Sequence, residues 1–173
     1  MSLPNPMRMV RDMRTIKALL EGAEREARAM GEEEPGAEHL LLAALVLPDG
    51  TAARALERAG IDESRLRAEI VDQDRGQGGA VGLADVAAAM PGVEPLDPGE
   101  GGGIYGSQPS AQEAFQAAGS TARGQRQPLV GAHVVAAVAA MEHGTVARVL
   151  DRMGVDRGSI AEAAVAHMKG ARR

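Results

Sequence analysis

Apolar residues return every three or four positions between Arg8 and Met30: Met9, Met13, Ile16, Leu20, Ala23, Ala27 and Met30. That spacing makes one face of a long amphipathic helix, with Arg and Glu on the other face and Gly31 as its stop. Gly22 inside it weakens the helix slightly. Beyond the acidic loop Glu32–Gly36 the pattern changes to a nearly continuous run, Leu40, Leu41, Leu42, Leu45 and Val46. It predicts a helix buried on most sides, opened by Pro35-Gly36 and ended by Pro48-Asp49-Gly50. Thr51 is expected to cap a third helix reaching about Ala59, which Gly60 closes. Asp62 or Ser64 starts a fourth, with Leu66, Ile70 and Val71 facing inward.

Glycine and proline then dominate as far as Gly106, apart from one short helical segment at Leu83–Met90, and the stretch reads as a linker. From Ser110 the first plan returns. Ala111, Ala114, Phe115, Ala118 and Ala122 form a helical stripe, and helices follow near Gly131–Glu142, Thr145–Met153 and Arg157–His167. Aligned without a gap, His39–Ile70 and His133–Ala164 agree at ten of 32 positions, including Gly50/Gly144, Thr51/Thr145, Arg54/Arg148 and Gly60/Gly154. Alanine matches mean little in so alanine-rich a chain, but paired glycines, threonines and arginines mark an internal duplication. The predicted architecture is all-α, eight helices as two pseudo-symmetric four-helix repeats. A disordered lead spans 1–7, the first repeat 8–75, the linker 76–106 and the second repeat 107–173.

Composition narrows the function. Hydrophobic residues make up 45% of the chain but only Tyr105 and Phe115 are aromatic, which suits close helix packing better than a β-sandwich. The formal charge is −5. With little positive surplus and almost no stacking side chains, nucleic-acid binding is disfavoured. The absence of cysteine removes disulfides, thiol nucleophiles and thiolate metal sites. No apolar run is long enough to span a membrane and no signal peptide is visible, so a cytoplasmic protein is expected. Gly101-Gly102-Gly103 is not followed by Lys-Ser/Thr, so there is no phosphate-binding P-loop.

The segments Gly36-Ala37-Glu38-His39-Leu40-Leu41-Leu42-Ala43, Gly50-Thr51-Ala52-Ala53-Arg54-Ala55-Leu56 and Ala59-Gly60-Ile61-Asp62 resemble the Clp N-terminal (Clp repeat) domain family. That family carries Gly-Thr-Glu-His before aliphatics, then Gly-x-Ala-Ala-(Arg/Lys)-x-Leu and Leu-Gly-(Val/Ile). Gly144-Thr145-Val146-Ala147-Arg148-Val149-Leu150 and Met153-Gly154-Val155-Asp156 fit it equally well. The resemblance implies a compact domain that, in Clp unfoldases, binds adaptors and substrates ahead of the ATPase rings. It also implies a stand-alone, non-catalytic bacterial module here, tuning Clp-dependent proteolysis, or a decoy for small peptidic ligands. Its expected partners are Clp components, adaptors or substrate peptides, with no cofactor.

Glu38 is the sharpest candidate residue. In some Clp N-domains the equivalent glutamate contacts the guanidinium of phosphorylated arginine, which a carboxylate can hold through two parallel hydrogen bonds. Its second-repeat counterpart is Ala132, so such a site would be single; the plainer role is a first-turn partner for the helix dipole. His39 and His133 are expected to bond a backbone group between helices rather than a metal. Arg54 and Arg148 are expected either to contact a ligand phosphate or carboxylate, or to bridge helices or cover apolar surface with their stems. Met9 and Met13 are either core or an adaptable peptide surface. A small metal-dependent helical enzyme, using the histidines and Glu32–Glu34, is the rival from another class.

Overall fold

The computed structural model describes residues 6–77 and 106–170. Among them are eight helices: α1 (Pro6–Met30), α2 (Ala37–Leu45), α3 (Thr51–Arg58), α4 (Glu63–Gln77), α5 (Pro109–Gly124), α6 (Gly131–Ala139), α7 (Thr145–Arg152) and α8 (Arg157–Gly170). The first helix begins two residues inside the expected lead, since proline is tolerated where a helix has no N–H partner to lose. α4 likewise runs through Gly76 to Gln77, past the expected linker boundary. The helical segment expected at Leu83–Met90 lies outside the described residues.

α2 and α6 are the inner pair. All nine residues of α2 are buried, as are seven of the nine in α6, so both sequences are apolar on nearly every side. Burying Leu40, Leu41, Leu42 and Leu45 contributes about 1.5–3 kcal/mol for each side chain. Val46, expected in that run, is the residue after the helix and is 59% exposed. α1 covers α2, and α5 covers α6 in the same way. The fourth helices change sides: α4 packs on α7, and α8 packs on α3 as well as on α6. Arg152 of α7 reinforces the first crossing through Asp72 at 3.2 Å and Glu69 at 3.7 Å. One continuous apolar core therefore serves both repeats.

Small residues set the helix spacing. A Cβ added at Gly22 would lie 2.8 Å from Ala43 Cβ, so a larger residue here would push α1 off α2. The third helices end alike in both copies. Gly60 and Gly154, at φ 74° and 68°, turn the chain so that Ile61 N–H and Val155 N–H reach back to Leu56 and Leu150 carbonyls. Only glycine adopts that left-handed turn without a Cβ penalty.

The first half of α1 departs from the expected inward stripe. Leu19, Ala23 and Ala27 are buried, but Met9 and Met13 are 56% and 64% exposed. Arg8 bonds the Gln127 carbonyl and Asp12 accepts from Leu129 N–H, so this half-helix lies along the loop leading into α6 and leaves its apolar face uncovered.

Candidate functional site

The duplicated helices α2 and α6 begin in the same manner. Gly36 and Val130 adopt extended backbone, and the imidazole three residues on accepts the cap residue's own N–H: His39 Nδ1 from Gly36 at 2.9 Å, His133 Nδ1 from Val130 at 3.2 Å. The histidines thus bond backbone N–H groups in the connections between helices, as expected, and in doing so each closes the start of its own helix. Burial holds the His133 pKa below its ordinary value, keeping the ring neutral with its proton on Nε2. Both Nε2 atoms are buried without a hydrogen-bond partner.

Beyond that shared start the two ends differ. At α6, the Asp49 carboxylate accepts Gly131 N–H at 3.2 Å, and Thr51 Oγ1 accepts Ala132 N–H at 2.9 Å. The same carboxylate takes Thr51 N–H at 2.8 Å and the Thr51 hydroxyl at 2.5 Å. Thr51 is therefore not the cap of α3, where Gly50 stands; its hydroxyl reaches 81 residues along the chain instead. An internal anion and a hydroxyl plug this end, and Ala132 beneath them is fully buried.

At α2 no such plug forms. Ala37 N–H meets Ser110 Oγ at 3.3 Å, and His143, the counterpart of Asp49, is exposed and makes no hydrogen bond to α2. The end opens into a cleft of about 490 Å³ lined by Met30, Gly31, Glu32, Glu38, Asp74, Arg75, Gln108 and Thr145. Glu38 is only 5% exposed, and its carboxylate folds back over Gly36, where a Cβ would collide with Oε1. Its polar neighbour is His39 Nδ1 at 3.3 Å, a nitrogen already accepting from Gly36. Among the described residues no hydrogen bond to this carboxylate is found, and it borders the cleft, where an incoming cation or donor can reach it.

Glu32 and Asp74 form a second acidic group in the cleft. Burial, then the Asp74 carboxyl beside it, push the Glu32 pKa up from 4.5 to about 7. Gln108 Nε2 donates to Glu32 at 3.0 Å. Asp74 is carried there by α4, which Arg67 clamps to Glu26 of α1 at 2.6 and 3.0 Å. A carboxyl with a raised folded pKa stabilises the fold fully below its ordinary pKa and loses that contribution as pH rises through the folded one. Between pH 4.5 and about 7, then, the wild-type protein should lose stability that a Glu32→Gln variant does not. Thermal midpoints of the two proteins across this window check it; parallel curves would rule out the half-buried Glu32–Asp74 carboxyl pair.

The sequence candidates scatter. Arg54 is exposed and donates to the Asp49 carbonyl at 3.2 Å, near the plugged end. Arg148 is exposed and reaches Thr145 Oγ1 at 3.5 Å, at the rim of the open cleft. Neither bridges helices. Met9 and Met13 lie on the first half of α1, away from the residues lining this cleft. Glu38 alone sits in it, joined by Asp74, Arg75, Gln108 and Thr145, which sequence reading did not select. Glu32, Glu38 and His39 place ligand-type atoms within 4.8 Å of one another. With His39 Nδ1 engaged by Gly36, two carboxylates remain, fewer than the four ligands of a closed structural metal site.

Residues 14–88 match the family described as the Clp repeat (R) N-terminal domain. The tomato (Solanum lycopersicum) ATP-dependent Clp protease ATP-binding subunit ClpA homolog CD4B, chloroplastic, is 37% identical over 82 residues, 45% of this chain and 9% of that protein. Chaperone protein ClpC2, chloroplastic, of rice (Oryza sativa subsp. japonica) is 32% identical over 120 residues, 60% of this chain and 12% of its own length. The chain thus spans about a tenth of these relatives. The crystal structure of the N-terminal domain of the chaperone ClpD from Arabidopsis thaliana superposes with a TM-score of 0.56, covering 90% of this chain and 93% of that one at 18% identity. The last likeness is one of fold.

Proposed function

We propose that this chain, whose residues 14–88 match the Clp repeat N-terminal domain family, works as a non-catalytic module that binds cationic groups on peptides or adaptors and so modulates Clp-dependent proteolysis. The buried Glu38 carboxylate at the open α2 end is the observation that carries this reading. A guanidinium fits it best, because its planar donors match a carboxylate through two parallel bonds. Phosphorylated arginine suits the rest of the cleft: Arg75 and the Thr145 hydroxyl line it beside the carboxylates and can meet a phosphoryl group. The plugged α6 end makes the site single. We place the protein in a reducing compartment such as the bacterial cytoplasm, with which a cysteine-free chain accords.

Titration with phosphoarginine, arginine and inorganic phosphate, followed by amide chemical shifts, tests the site. Phosphoarginine should move the resonances of residues 36–39, Thr145 and Arg75 at a stoichiometry of one. Glu38→Gln keeps the shape and removes the charge, and should weaken binding by about tenfold or more. Equal affinity in wild type and variant would refute the assignment.

A further inference from the structure

The opposite charge gathers at the other end of the molecule. Of the six large apolar side chains exposed among the described residues, Met7, Met9, Val10 and Met13 all fall in the first third of α1. Met9 and Met13 are four residues apart and Val10 and Met13 three, so they share one face. Beside them runs a groove of about 310 Å³ between α1, the Leu47–Asp49 turn and Leu129–Val130.

Its electrostatics are one-sided. Asp12 is engaged by Leu129 N–H and by Arg8 at 3.6 Å, and Asp49 is consumed by Thr51 and Gly131. Arg11 and Arg14 line the groove, are exposed, and have no carboxylate within ion-pair distance among the described residues. A chain of net charge −5 therefore presents an apolar strip edged by two uncompensated guanidinium groups.

We propose that the first half of α1 and this groove dock an acidic amphipathic segment of another protein. Its aliphatic residues would cover Met9, Val10 and Met13 while its carboxylates pair with Arg11 and Arg14. The two guanidinium groups disfavour a cationic peptide here. The strip from Met9 to Ala18 spans about 14 Å, enough for two to three turns of a partner helix. Methionines suit such a surface because their unbranched side chains re-pack around differing anchors. This surface is independent of the Glu38 cleft.

The probe is a fluorescein-labelled helical peptide of about 14 residues with leucines at i, i+3, i+4 and i+7 spacing and glutamates elsewhere, beside a twin carrying glutamine for glutamate. Anisotropy with the full chain should show the glutamate peptide binding about tenfold or more tighter than its twin, with salt weakening it. Arg11→Glu with Arg14→Glu, and separately Met9→Ser with Met13→Ser, should each lower affinity about tenfold. All four side chains are exposed, and unchanged circular dichroism would confirm that the variants fold. Glu38→Gln should bind this peptide like wild type, so failure here and failure of the Glu38 site are separable. Equal binding of the twin, indifference to the arginine substitutions, or preference for phosphatidylserine vesicles would overturn the proposal. So would a concentration-dependent dimer that Met9→Ser with Met13→Ser abolishes and that excludes the peptide.

Discussion

Asp49→Ala should lower the stability of the protein by about 2–4 kcal/mol, the largest loss expected from any single partly exposed residue in it. The carboxylate accepts Thr51 N–H, the Thr51 hydroxyl and Gly131 N–H at once, so it closes the start of α3 and the start of α6 together. Charge-assisted bonds of this kind are worth roughly 1.5–3 kcal/mol each, and water can replace part of them because Asp49 is only half-buried. The anion also faces the positive ends of two helix dipoles. Truncation leaves the Gly131 amide without its acceptor and frees the Thr51 hydroxyl that holds Ala132 N–H. In urea the midpoint should fall with little change in slope, and Asp49→Asn, which keeps an acceptor but not the charge, should fall between. A truncated protein within about 0.5 kcal/mol of wild type would mean the plug is ornamental.

Gly131→Val should cost about 3 kcal/mol, through crowding rather than lost bonds. An added Cβ at this position would lie 2.9 Å from Ala52 Cβ, 3.0 Å from the Ala44 carbonyl oxygen and 3.3 Å from Ala52 N. Two of these three atoms are backbone, which cannot rotate away, so α6 would have to retreat from α2 and α3 together. Gly131→Ala meets the same atoms with less bulk and recovers some helix propensity, so its loss should be smaller. Gly124→Ala is the control. Nothing lies within 4 Å of a Cβ there, and its stability should stay within about 0.5 kcal/mol of wild type. Chemical denaturation of all three orders them; a Val variant as stable as the control would show that the helices do not meet where the structure puts them.

These two residues also show where sequence reading stopped. Hydrophobic spacing located all eight helices, because their stripes and the glycines that end them are local signals. The buried run Leu40–Leu45 and the turns at Gly60 and Gly154 are of that kind. Asp49 read as part of a turn and Thr51 as a cap, since nothing nearby in the sequence announces a partner 81 or 82 residues away. Glu38 was legible as a first-turn residue, but its depth is set by Gly36 beneath it and by walls that α4 and the Gln108 loop supply. Asp74 carries no signal of its own in the sequence, lying past Val71, the last inward residue expected of the fourth helix, though α4 carries it to Glu32. Met9 and Met13 obey helical spacing perfectly well; periodicity reports which residues share a face, not whether anything covers it.

The crossing of α4 onto α7 and of α8 onto α3 has a consequence for descent. A single ancestral repeat built this way leaves its third helix bare, and two identical copies can cover each other by trading fourth helices about a two-fold axis. In such a pair every substitution appears twice, so a glutamate lost from one helix start is lost from both. Joining the copies in one chain lifts that constraint. One end could then take Ala132 and close around Asp49 while the other kept Glu38 open to solvent, a division of labour that symmetry forbids.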